Sequence, residues 1–305
     1  MGLHWRPLAD SFGAELVDFD LELPIAGEVA EALRALWLER GLLLFRGRAM
    51  SGEQQVALSR LFGELEVHPA REGWVEGHPE LTVIQYHPEN RDFSPIYEVE
   101  GEALANWLPW HIDLIYTARI NRAGCLRALT LPPKGAPTGF IDRAALYDSL
   151  PAALKAEIQV KRAVYRLNPF ADEHPFYPYG NVRRLHVPER HKGLKARVGT
   201  DFPDASHPIA FAHPDTGRMI LNLSPTFLIG IEGMADPESE PLLRTLVDHV
   251  LASPDRYYHR WQPDDVILWD NWRMLHSAEG TPVAHSRQLY RTTVSGDYGL
   301  GRLAQ

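Results

Sequence analysis

The chain has 305 residues, 45% hydrophobic and 23% charged, the balance of an ordinary soluble protein with a large core. A formal charge of −9 and a pI near 5.9 argue against nucleic acid and anionic membrane surfaces as partners, so an anionic small molecule would need a local basic pocket. The single cysteine, Cys125, excludes an intrachain disulfide framework, and no apolar run approaches the roughly 20 residues that span a bilayer.

The N-terminal residues Met1 to Pro7 lack the apolar core of a signal peptide, and a reducing, cytoplasmic location is expected. Residues 28–38 place Val29, Leu33, Leu36 and Trp37 at helical spacing; Gly41 stops the helix, and Leu42-Leu43-Leu44-Phe45 reads as a buried strand. Ser51-Gly52-Glu53-Gln54 has the form of a capping box and opens a second helix through Leu61. Residues 85–109 give no clear element: aromatic residues, charges and prolines are mixed, and an irregular active-site lid loop is expected there. Strand-like runs follow at Gly124–Leu131, Met219–Leu223, Val266–Trp269 and Gln288–Val294, with helices near 151–160 and 237–251. Strands outweigh helices after residue 80, and the βαβ rhythm of a parallel sheet is missing. The expected fold is mainly β with flanking helices, an antiparallel jelly roll, in a single domain over 1–305 because no linker or repeat divides the chain.

Trp110-His111-Ile112-Asp113 supplies an imidazole and a carboxylate two residues apart, on one face if the segment is extended. Trp269-Asp270-Asn271-Trp272-Arg273-Met274-Leu275-His276 supplies a second imidazole. Together His111, Asp113 and His276 make the 2-His-1-carboxylate set that holds Fe(II) on one side and leaves the opposite positions open. Arg287 and Arg291 share a face at strand period, and two buried cations on one face call for an anion. The other His-x-Asp, His213-Pro214-Asp215, runs into Thr216-Gly217 and reads as a hairpin connection. Cys125, in an apolar strand, reads as core. No Gly-x-Ser-x-Gly elbow, Walker loop or Cys-x-x-Cys pair is present.

These motifs resemble the taurine / 2,4-dichlorophenoxyacetate dioxygenase family of Fe(II)- and 2-oxoglutarate-dependent oxygenases. The resemblance spans nearly the whole chain: Leu61-Phe62-Gly63-Glu64-Leu65 with His68-Pro69, the His111 motif, Thr138 after Pro132-Pro133-Lys134-Gly135, the His213 hairpin leading to Ser224-Pro225-Thr226-Phe227, and Trp269-Asp270-Asn271 with His276. Arg287 and Arg291 stand 11 and 15 residues past His276 (287−276 and 291−276). The resemblance implies a double-stranded β-helix, Fe(II) on His111, Asp113 and His276, and 2-oxoglutarate as co-substrate with O2. Arg287 and the Thr138 hydroxyl would meet the distal carboxylate of 2-oxoglutarate, with Arg291 near co-substrate or substrate. Retention of Asp113 implies hydroxylation or a related oxidation, possible C–X cleavage included, with release of succinate and CO2.

The resemblance further implies a small organic acid as substrate, a sulfonate or an aryl or alkyl carboxylate, met by His68 and Arg291. Arg71 stands where the family often has tyrosine, and could add positive charge or point to solvent. Phe227 and Trp272 read equally as pocket wall or core. Relatives of this kind are commonly homo-oligomers, dimers or tetramers. Two rival readings stay open from the residues: the same mechanism on a neutral or natural-product substrate, and a zinc hydrolase using the same three ligands.

Overall fold

The computed structural model describes residues 3–47, 49–67, 73–177 and 180–305. Its two largest sheets form the double-stranded β-helix expected from the sequence. One sheet runs in the order Trp5–Pro7, Ala14–Leu16, Leu42–Phe45, Val266–Asp270, Ala123–Thr130, Arg287–Val294, His78–Tyr86, Trp74–Val75. The other runs Val182–His186, Ile96–Val99, Glu102–His111, Met274–Pro282, Thr138–Asp142, Arg256–His259. Among these pairings only Ala14–Leu16 with Leu42–Phe45 is parallel. Leu42, Leu44, Leu126, Ile267, Trp269 and Leu289 from the first sheet pack on Phe140 and Met274 from the second, so one apolar core lies between them.

The four expected helices form, and Arg143–Asp148 and Glu189–Ala196 are two that the sequence reading did not give. Gly27–Arg40 buries Leu33, Leu36 and Trp37 and ends at Gly41, which takes φ 72°, the left-handed conformation a helix stop needs. Gly52–Arg60 begins with a complete capping box between Ser51 and Gln54. Ala152–Ile158 and Asp236–Leu251 complete the expected set. Among the described residues, no helix is long and apolar enough to cross a membrane.

Residues 85–109 correct the expectation of an irregular lid. Strand His78–Tyr86 reaches into this segment, a short 3-10 turn spans Arg91–Phe93, and Ile96–Val99 and Glu102–His111 form a hairpin. Its two-residue turn is Glu100-Gly101, both at positive φ (50° and 84°), the geometry that matches strand twist. Glu98, Glu100, Glu102 and Pro109 disguise the strands in the sequence; Leu104, Ala105, Trp107 and Trp110 are nevertheless buried by the sheet. The second strand of this hairpin ends on His111.

Candidate active site

Strand register brings the two distant motifs together. Met274–Pro282 pairs antiparallel with Glu102–His111, and His276 stands opposite His111, their ring centroids 4.1 Å apart. Asp113 corrects a detail of the sequence reading: it is not on an extended strand but in a turn just past its end. The turn is held by Asn271, whose Oδ1 accepts from the Asp113 N–H at 3.1 Å and whose Nδ2 donates to the Asp113 carbonyl at 3.1 Å. Ile112 is fully buried on the other side, as its apolar side chain requires. The result places one ligand atom each of His111, Asp113 and His276 within 4.8 Å of one another. Asp113 Oδ1 lies 3.7 Å from His111 Nε2 and 3.5 Å from His276 Nε2.

The protonation pattern suits a divalent cation. His111 Nδ1 sits 2.8 Å from the Pro109 carbonyl, which can only accept, so Nδ1 carries the proton and Nε2 turns its lone pair to the cluster. Burial, reinforced by neighbouring His111, pushes His276 down to about 4, which keeps it neutral near pH 7. Burial alone would raise the Asp113 carboxyl; the Arg291 guanidinium and His276 outweigh it and hold it well below the usual carboxylate range. Two imidazoles and one carboxylate converge with no fourth protein ligand among the described residues, the donor set of a facial iron site.

His111 and His276 line a cavity of about 340 Å³, the size of a small-molecule site. Arg287, Leu289 and Arg291 all line it, as their shared strand face predicts. Arg291 donates from Nη2 to Asp113 Oδ2 and from Nε to Thr293 Oγ1 at 3.2 Å, so it already pairs with the carboxylate of the cluster. Arg287 is different. It is 4% exposed, its Nε has no hydrogen-bond partner, and burial alone pushes it down to about 10. No carboxylate among the described residues offsets that burial. Thr138, buried in strand Thr138–Asp142, lines the same cavity.

The remaining sequence candidates divide. Phe227 is cavity wall; it stands at φ 73° and packs edge-on against Tyr116, centroids 4.9 Å apart. Trp272 is core, stacked under the Arg122 guanidinium at 4.3 Å. His213 and Asp215 sit in the connection between Ala210–Ala212 and Met219–Leu221, as expected, with His213 on Asp270 (3.0 Å) and Asp215 on Arg122 (2.7 Å). His68 and Arg71 lie outside the described residues. Sequence reasoning missed Tyr116, three positions after Asp113 with its ring on the cavity, and Trp261, which donates to Thr138 Oγ1 at 3.0 Å. Neither sits in a pattern that marks it; only the folded neighbourhood does.

Residues 4–293 match the family described as taurine catabolism dioxygenase TauD, TfdA family. The chain belongs to the TauD/TfdA family. It is 32% identical to the (S)-phenoxypropionate/alpha-ketoglutarate-dioxygenase of Sphingobium herbicidovorans, covering 95% of this chain and 94% of that one. It is 29% identical to the alpha-ketoglutarate-dependent 2,4-dichlorophenoxyacetate dioxygenase of Cupriavidus pinatubonensis, covering 96% and 97%. Among solved structures, a putative alpha-ketoglutarate-dependent taurine dioxygenase from Burkholderia xenovorans superposes with a TM-score of 0.76 at 28% identity, covering 100% of this chain and 98% of the other. As a TauD/TfdA protein, the chain is a dioxygenase that uses Fe(II), 2-oxoglutarate and O2. The residues present fit those groups: an imidazole and carboxylate cluster for the metal, and in the same cavity a buried cation without a counter-charge among the described residues for a dicarboxylate.

Proposed function

We propose that His111, Asp113 and His276 hold Fe(II), that Arg287 and Thr138 receive the distal carboxylate of 2-oxoglutarate, and that the substrate is a small aryl or alkyl acid. The observation that carries the reading is Arg287: a buried guanidinium without an anion among the described residues, in the same cavity as His111 and His276. A carboxylate there would restore the bidentate pairing guanidinium favours. When bound, the iron with 2-oxoglutarate and O2 supplies the oxidising chemistry and yields succinate and CO2.

The chain's own residues then select and orient. Tyr97, Trp107, Leu108, Tyr116, Leu167 and Phe227 wall the cavity with aromatic and aliphatic surface, which fits an aryl or branched alkyl group and excludes water from the reacting bond. Relatives named for phenoxypropionate and 2,4-dichlorophenoxyacetate support that size and charge. Arg291, with His68 and Arg71, would meet the substrate's acid group. Arg291→Ala should then weaken substrate binding while leaving 2-oxoglutarate affinity intact; equal weakening of both would favour a neutral substrate, with Arg291 serving the co-substrate. The zinc-hydrolase reading leaves Arg287 without a use. The proposal takes residues 1–305 as one oxygenase domain, cytoplasmic and homo-oligomeric, a dimer or tetramer that light scattering would count.

The test is an anaerobic titration of metal-free protein with Fe(II) and then 2-oxoglutarate. A weak visible charge-transfer band should appear, should be absent in His276→Ala, and should shift when an aryloxy acid is added. Tight zinc binding with no such band would overturn the reading.

A further inference from the structure

Both groups assigned above to the distal carboxylate rest on one side chain, Trp261. Its indole N–H donates to Thr138 Oγ1 at 3.0 Å, and its ring lies 5.9 Å below the Arg287 guanidinium carbon. An indole nitrogen can only donate, so Thr138 Oγ1 must be the acceptor in that bond. A hydroxyl has one proton. With a lone pair committed to Trp261, the Thr138 O–H is turned away from the indole, and Thr138 lines the cavity. The indole is itself held in place. It stands edge-on to His259 at 4.6 Å and 86°, and His259 lies 3.0 Å from Asp265 and 2.9 Å from the Tyr257 hydroxyl. The face of the same ring gives Arg287 an attractive surface that does not consume its N–H donors.

We propose that Trp261 is a positioning residue for 2-oxoglutarate. Its N–H fixes the Thr138 hydroxyl as a donor toward the incoming carboxylate, and its ring seats Arg287 with its donors free. The inference rests on the assignment of Thr138 and Arg287 made above. Trp261 is not itself among the residues that line the cavity, so it reaches the co-substrate through Thr138 and Arg287.

The experiment measures 2-oxoglutarate binding by calorimetry to Mn(II)-loaded protein, where no turnover intervenes. Trp261→Phe keeps an aromatic ring and removes the N–H together with part of the indole. It should bind 2-oxoglutarate about five- to tenfold more weakly, the scale of one hydrogen bond, with Mn(II) affinity unchanged. Thr138→Val should weaken binding as well, and the double variant should be no weaker than Thr138→Val alone, because the indole acts through the hydroxyl. Wild-type affinity in Trp261→Phe, or additive losses in the double variant, would overturn the inference. If Thr138→Val and Arg287→Met both bind 2-oxoglutarate as the wild type does, the carboxylate assignment itself fails and takes the inference with it. That pattern is distinct from a failure confined to Trp261.

Discussion

At the scale of single residues, burial of an arginine means different things according to what it meets. Arg273 is buried and bonded to both Asp142 oxygens (3.0 and 2.7 Å) and to the Glu39 carbonyl (2.8 Å). Arg122 meets Asp270 and Asp215 between the rings of Trp37 and Trp272. Those two hold the fold. Arg287 has no such partners among the described residues, so its removal has the opposite sign. Arg287→Met should leave the metal-free protein as stable or more stable, by about 1 kcal/mol, because an uncompensated charge leaves the interior. The same variant should lose the melting-temperature increase that 2-oxoglutarate gives with Mn(II). A destabilised Arg287→Met would show that the guanidinium has a structural partner after all.

Asn271 works in the other direction. Its side chain makes four hydrogen bonds, two half-buried ones to the Asp113 N–H and carbonyl and two buried ones to the Asn121 carbonyl and side chain. Asn271→Ala should destabilise by roughly 2–3 kcal/mol, since the Asp113 N–H and the carbonyls are left unpaired. Metal affinity should fall about 10- to 100-fold, as when a ligand's supporting bonds are cut. Denaturant unfolding and a Mn(II) titration read the two effects separately. An unchanged Mn(II) affinity would mean that the turn holds Asp113 without Asn271.

At the scale of elements, the site depends on how closely two neighbouring strands of one sheet pack. Gly124, in strand Ala123–Thr130, lies flat against Trp269; a Cβ there would come within 2.3 Å of the indole Cζ2. The Trp269 ring packs in turn on His276 (5.0 Å) and Phe140 (5.8 Å) and lines the cavity. Gly124→Ala should therefore destabilise by at least about 1–3 kcal/mol through overpacking. It should also weaken Mn(II) binding, because the displaced indole pushes on a metal ligand. If stability falls and Mn(II) binding does not, Trp269 packs beside His276 without constraining it. The pattern of strand pairing explains why position 124 tolerates so little: Gly124 stands directly opposite Trp269 in the register.

At the scale of the whole molecule, buried histidines set the acid limit of stability. Burial pushes His207 down to about 4 and His174 to about 3, from an ordinary value of 6.5. The unfolded chain therefore takes up protons that the folded one refuses as pH falls below about 6.5. Their stabilising contribution is complete above that value and shrinks as pH falls toward 4, by on the order of 2 kcal/mol per histidine at pH 5. Urea midpoints at pH 7.5 and 5 should differ accordingly in the metal-free protein, and replacing His207 with Gln should reduce the difference. Equal midpoints at both pH values would show that these imidazoles take up protons without unfolding.

Much of this organisation was legible along the chain because it rests on local chemistry. Helix stops at Gly41, the capping box at Ser51, the period-2 face of Arg287, Leu289 and Arg291, and the residue types of the metal set are all fixed by near neighbours in sequence. The same locality misled at residues 85–109, where surface glutamates and Pro109 hid two strands whose inner faces only a partner sheet reveals. What tertiary structure alone decided is which side chains are left without a partner and which are held by a distant one. The meeting of His111 with His276 comes from strand register, and the Asp113 turn from an asparagine 158 positions away. Arg287 lacks a counter-ion where Arg273 has one, and Thr138 is turned by Trp261. Charge compensation and hydrogen-bond direction depend on distances in space, and a linear pattern of residues carries the groups without their separations.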